Sequence, residues 1–154
     1  MMELKHELLY EAHFDLVDRQ MVGTPNGLRV IVLVGGGWIR SPKFGEGQVL
    51  PGAGDWLRVR NDGVSEIDVR ATIKLDDDNL CFITYGGVSH IAPDVYQRIL
   101  KGEDIDPSAY YFRVTPRFQT ASEKYSWLNN VICVASGKIA PYGAAIQYTG
   151  FEIL

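Results

Sequence analysis

Cysteine and histidine are scarce in this chain. Two cysteines, Cys81 and Cys133, and three histidines in 154 residues offer no disulfide framework and no paired metal-ligand spacing. Each cysteine sits in an apolar, strand-like stretch, which suits a buried, reduced thiol. His6 and His90 could meet across strands, but nothing beside them completes a metal site. Proline is also rare, at 7 residues against 16 glycines, a balance that fits tight turns between short strands rather than low complexity. No apolar run approaches the ~18 residues of a membrane-spanning helix. Residues 1–7 contain no apolar stretch behind a basic flank, so no signal peptide is apparent and a cytoplasmic location is expected. Basic excess is absent too: 15 Lys+Arg against 19 Asp+Glu give a net charge of −4. The basic residues are scattered, which argues against nucleic-acid and membrane partners.

Common catalytic signatures are missing as well. Gly35-Gly36-Gly37 is followed by no Lys-Ser/Thr pair and no helix, so it is not a phosphate loop. Asp76-Asp77-Asp78 lacks the ligand spacing and closing glutamate of a calcium loop. No Gly-x-Ser-x-Gly elbow is present. No metal and no other cofactor is expected.

Alternation is what the sequence does contain. Residues 4–17 place Leu4, His6, Leu8, Tyr10, Ala12, Phe14 and Leu16 on one face of a long predicted strand. A turn at Thr24–Gly27 leads to a β-branched run over 28–34, a kink at the three glycines, and a resumed strand at Trp38–Arg40. Asn61-Asp62-Gly63 between two alternating runs is a strong hairpin signal. In the second run Ile67, Val69, Ala71, Ile73 and Leu75 share one face, and Glu66, Asp68, Arg70, Thr72 and Lys74 the other. Further strands are predicted over 80–85, 110–118, 131–139 and 144–153, with Pro116 marking an edge or a bend. The one convincing helix spans 93–101, with Pro93 at its start and Gly102 at its stop. The hydrophobic fraction of 46% and charged fraction of 22% are those of a globular protein. No linker or repeat divides the chain, so residues 1–154 form a single domain. Roughly eight to ten sequential antiparallel strands fit an up-and-down barrel or a sandwich, and alternation alone does not separate them.

Two segments mix aromatic and polar residues as a ligand cavity would. Over 110–118, Tyr110 and Phe112 accompany Arg113 and Arg117, and an arginine can grip a carboxylate bidentately. Over 125–130, Tyr125, Trp127 and Asn129 would share one face of an extended stretch. If the polar face of 66–74 pointed inward, Asp68 and Arg70 could polarise a carbonyl or move a proton; outward, it would be a solvated sheet face.

The stretches Gly45–Trp56, Asn61–Arg70, Asp106–Phe118 and Tyr125–Asn129 together resemble the DUF3237 (UPF0311) family. That resemblance implies a small, lipocalin-like all-β antiparallel barrel, favouring barrel over sandwich and a cavity over a solid core. It places Trp56, Asp68, Arg70, Arg117, Tyr125, Trp127 and Asn129 at matching positions. Gln119 stands where the family usually has glutamate, and Ala71 where tyrosine is common.

The expected function is binding of a small, partly apolar molecule bearing a carboxylate or carbonyl. Trp56, Tyr110, Phe112, Tyr125 and Trp127 would wall the cavity, with Arg70, Arg117, Gln119 and Asn129 as polar contacts. The alternative is a cofactor-independent isomerase, cyclase or lyase with Asp68 as general base and Arg117 stabilising an oxyanion. A third reading is an interaction module that forms a homodimer.

Overall fold

The computed structural model describes all 154 residues. One antiparallel sheet of nine strands closes on itself. The strands are β1 (His6–Thr24), β2 (Gly27–Ser41), β3 (Gly45–Val49), β4 (Ala53–Val59), β5 (Ser65–Lys74), β6 (Leu80–His90), β7 (Tyr111–Thr120), β8 (Ile132–Ile139) and β9 (Ala145–Ile153). Neighbours run β1-β9-β8-β7-β6-β5; β5 then pairs with both β3 and β4, both pair with β2, and β2 returns to β1. Closure removes the exposed edges of an open sheet. The single α-helix, α1 (Pro93–Leu100), starts at the expected proline, and Gly102 follows its end at φ +97°. Its eight residues and those of the short 3₁₀ turns are too few to cross a membrane.

The long first strand does not keep one face inward. Its pairing with β9 skips Leu9, and its pairing with β2 skips Val17. Each bulge flips the alternation. Leu4 and Leu8 are therefore exposed while Leu9 is fully buried, contrary to the uniform face expected over 4–17. Between the bulges Ala12 and Phe14 face inward as expected. The glycine kink in β2 is a matching bulge. Val34 pairs with Leu16, Gly36 with Asp15, and Gly35 is skipped. A Cβ at Gly35 would fall 2.4 Å from Val17 Cγ1, so glycine there lets the two bulges stack.

The barrel is solid at one end. Leu9, Ile39, Phe44, Val49, Ile73, Cys81, Leu128 and Cys133 are each about 1% exposed or less. Both cysteines are free, and burial pushes their thiols up, to about 11 for Cys81 and about 12 for Cys133. Pro116 lies beyond the two-residue β7–β8 pairing at Arg113 and Val114, so its missing N–H breaks no ladder there.

Candidate ligand cavity

The other end of the barrel is hollow. A cavity of about 440 Å³ opens there, and 18 of its 24 lining residues are hydrophobic. That volume falls in the range of small-molecule sites, roughly 300–1,000 Å³. Its walls come from the inward faces of the strands: Val30, Val32 and Val34 of β2, Leu57 of β4, Ile67 and Val69 of β5, and Ile146 of β9. Ile91, Pro93 and Tyr96 carry α1 across part of the mouth. Aromatic rings interlock inside it. Tyr148 meets Tyr85, Phe14 and Phe112 edge-on, with centroids 5.2, 5.5 and 5.8 Å away.

The polar side chains on this apolar wall include Asp55, Tyr85 and Tyr148. Asp55 shares the inward face of β4 with Leu57. It faces a place where the β4–β5 ladder lapses, since Asp55 pairs with Val69 and Arg58 with Glu66, leaving Trp56 and Leu57 unpaired with β5. The Asp55 carboxylate fills the lapse by accepting the Asp68 backbone N–H at 2.9 Å, and the Trp56 carbonyl accepts from Arg29 Nη1 at 2.7 Å. Burial raises the Asp55 pKa from 3.8 to about 6; the Asp68 N–H pulls it down and the nearby Asp68 charge pushes it up. Burial likewise raises the Tyr85 and Tyr148 phenols well above 10. The Tyr85 hydroxyl is fully buried and makes no hydrogen bond of good geometry; the Tyr148 hydroxyl is its one polar side-chain neighbour close enough to interact.

Of the residues expected at a site, Phe112 lines the cavity. Tyr110 is buried beside it, but its hydroxyl accepts the Ile139 backbone N–H at 3.0 Å and serves the wall. Asp68 and Arg70 lie on the outer face of β5, about half exposed and 3.6 Å apart. Trp56 is also on the outer wall, with the Arg70 guanidinium 5.4 Å from its ring centre. Arg117 and Gln119 project outward from β7. The general-base and oxyanion roles expected of Asp68 and Arg117 therefore have no lumen to act in. The reason is the strand period: Ile67, Val69, Phe112, Val114 and Phe118 take the inward positions.

The 125–130 stretch is not extended; Ser126–Asn130 forms a 3₁₀ turn at the solid end. Tyr125 is buried there and donates to Asp76 Oδ1 at 2.5 Å. Trp127 is half-buried, with Lys43 Nζ 6.0 Å from its ring centre. Asn129 pins the turn to β7, accepting the Thr120 N–H at 2.9 Å and donating to the Thr120 carbonyl at 3.0 Å. These three side chains hold the barrel shut and do not reach the cavity. His6 and His90 stand on non-adjacent strands and do not meet. Asp55, Tyr85 and Tyr148 were not expected. The available signal was a lone carboxylate on the apolar face shared with Leu57 and Val59.

The family model described as "Protein of unknown function (DUF3237)" matches residues 4–153. The chain belongs to the DUF3237 family. A UPF0311 protein of Clostridium acetobutylicum is 33% identical over 148 residues, covering 92% of this chain and 93% of that one. A β-barrel-like protein from Acinetobacter baumannii has a TM-score of 0.84 at 30% identity, over 100% of this chain and 98% of that one. A conserved protein of unknown function from Rhodopseudomonas palustris reaches a TM-score of 0.89 at 23% identity, over 100% of this chain and 99% of that one, a likeness of fold. An enzyme from Penicillium herquei has a TM-score of 0.73 at 20% identity, over 100% and 97%, a likeness of fold alone.

Proposed function

We propose that this DUF3237 barrel binds a small, largely apolar molecule through a carbonyl or hydroxyl oxygen. The observation that carries this reading is the pair of buried phenols Tyr85 and Tyr148 on the cavity wall, where the Tyr85 hydroxyl makes no hydrogen bond of good geometry. A buried donor left wholly unsatisfied costs about 1–3 kcal/mol; with only the Tyr148 hydroxyl beside it, Tyr85 bears part of that cost, and a ligand oxygen would relieve it. Asp55 adds a second donor when it is protonated. One of its oxygens accepts from Asp68, which leaves the other free to present a proton to the lumen. The apolar wall supplies burial, and the phenol and carboxyl supply orientation.

Titration with 2-acetylnaphthalene, against 2-isopropenylnaphthalene in which a methylene replaces the carbonyl oxygen, tests this. The ketone should bind about tenfold tighter, and Tyr85→Phe should abolish the difference. Ile67→Trp, which fills the lumen, should abolish binding of both. Failure of both compounds to bind, or binding unchanged by Ile67→Trp, would refute the reading.

A second reading is proton-transfer catalysis in the same cavity, with Asp55 in the place expected of Asp68. A carboxyl held at about 6 by burial is close to the pH at which it would give or take a proton. Removal of the ring proton of 5-nitrobenzisoxazole, which opens the N–O bond to a cyanophenolate, gives a direct assay. The rate should rise with pH through about 6, vanish in Asp55→Asn and persist in Asp68→Asn. A rate equal in Asp55→Asn and wild type would rule it out.

A further inference from the structure

Besides Asp55, the cavity is lined by one other charged side chain, Arg19. Arg19 is exposed at the mouth, and its place on the lumen side is a product of the β1 bulge. Before the bulge, even-numbered residues such as Phe14 and Leu16 face the lumen; after it, Arg19 and Met21 stand on the lumen side of the strand, where they are exposed at the cavity's rim. Without the skipped Val17, Asp18 would face the lumen at the mouth and Arg19 would face solvent. The bulge therefore puts a cation where strict alternation would put an anion.

The guanidinium is held but not neutralised. Arg19 Nη2 donates to the Gly143 carbonyl at 2.8 Å, on the loop between β8 and β9 that packs against α1. Gly143 has φ +63°, and a Cβ there would fall 2.7 Å from Arg19 Nη2, so glycine makes room for this bond. No carboxylate pairs with Arg19. The adjacent Asp18 accepts the Arg19 backbone N–H at 2.8 Å instead. The Asp55 carboxyl is raised by burial and by the Asp68 charge, so Arg19 does not hold it ionised.

From this arrangement we infer that the cavity takes an amphipathic organic anion. A carboxylate or similar group docks on Arg19 at the mouth, and an uncharged oxygen reaches Tyr85 and Asp55 inside. One guanidinium nitrogen is already fixed by a carbonyl, so the remaining N–H groups are presented with little further loss of side-chain freedom. The inference rests on the binding function proposed above and adds the charge and polarity of the ligand.

Two probes separate the claims: 6-acetyl-2-naphthoate and its uncharged methyl ester, with the acetyl and carboxyl groups at opposite ends of one ring system. Calorimetric titration should show the carboxylate binding about tenfold tighter than the ester. Arg19→Gln should remove that advantage while leaving ester affinity unchanged, and Arg19→Lys should keep part of it. Equal affinities for acid and ester in the wild type would overturn the anion site and leave the binding function standing. So would an Arg19→Gln variant that weakens both probes equally. Binding of neither probe would overturn both.

Discussion

The Asp55 carboxylate, on the lumen side of β4, accepts the backbone N–H of Asp68, whose own side chain lies outside the barrel. One hydrogen bond thus links an inner acid to an outer acid through the wall. It closes a lapse in the β4–β5 ladder and keeps a carboxyl in an apolar cavity.

That position has a cost that depends on pH. The folded-state pKa of Asp55, about 6, lies above its ordinary 3.8. The native state therefore binds this proton more tightly than the unfolded chain does, and stability falls as pH rises from about 4 to about 6. Above that window the loss is constant, of order 3 kcal/mol. Asp55→Asn keeps the acceptor for the Asp68 N–H and removes the charge. It should raise the melting temperature at pH 8 by roughly 6–12 °C and leave it nearly unchanged at pH 4. Melts of both proteins at the two pH values check this; an equal shift at both would point to packing instead of charge.

The outer wall should behave differently. Arg117 and Asp68 are exposed, and the Asp68–Arg70 pair at 3.6 Å is a surface ion pair. Arg117→Ala and Asp68→Asn should each change stability by no more than about 0.5–1 kcal/mol and leave ketone affinity in the lumen intact. Asp68→Asn should also lower the Asp55 pKa, because the Asp68 charge helps to raise it. A pH titration of the Asp55 carboxyl by NMR reads that shift. An unchanged or higher value would show that the Asp68 charge does not raise the Asp55 pKa.

Much of the barrel was legible because alternation reports burial directly. The inward set Ile67, Val69, Ala71 and Ile73 follows from period two, as do the Asn61–Gly63 hairpin and the Pro93 helix start. The resemblance to DUF3237 then separated barrel from sandwich. The site was less legible for two physical reasons. Residues such as Asp68, Arg117 and Asn129 carry conspicuous chemistry but serve the wall and the solid end, where a closed sheet needs polar tethers. The cavity's own polar groups are embedded in apolar patterns: Asp55 beside Leu57, and Tyr85 after Ile83. Arg19 was hidden further by the bulge at Val17, because a one-residue skip reverses every inward assignment beyond it and leaves no local mark in the sequence.

Glycine opposite a buried ring gives a test of the packing. Gly150 pairs with Tyr10 across β1 and β9, and a Cβ on Gly150 would lie 2.2 Å from Tyr10 Cε1. Tyr10 is 4% exposed and stacks edge-on against Phe118, so its ring has little room to move. Gly150→Ala should cost about 1–3 kcal/mol, measured by urea denaturation. Tyr10→Leu in the same chain should recover part of that loss. If the double variant is no better than the sum of the two single ones, the ring contact is not the cause.

The two thiols test whether the solid end stays closed in solution. Cys81 and Cys133 are each 1% exposed, and burial pushes them up to about 11 and about 12. Thiolate attack needs both ionisation and access, so neither cysteine should react with Ellman's reagent at pH 8 in the native protein. In urea both should react, and the release of two thiolate equivalents per chain would match the two free cysteines. Opening of the solid end alone would expose Cys81 and Cys133 without global unfolding. Their reaction rate would then depend weakly on urea, whereas a closed end ties it to the full unfolding transition. A fast native reaction at either position would contradict the packing of Leu9, Ile39 and Leu128 around that end.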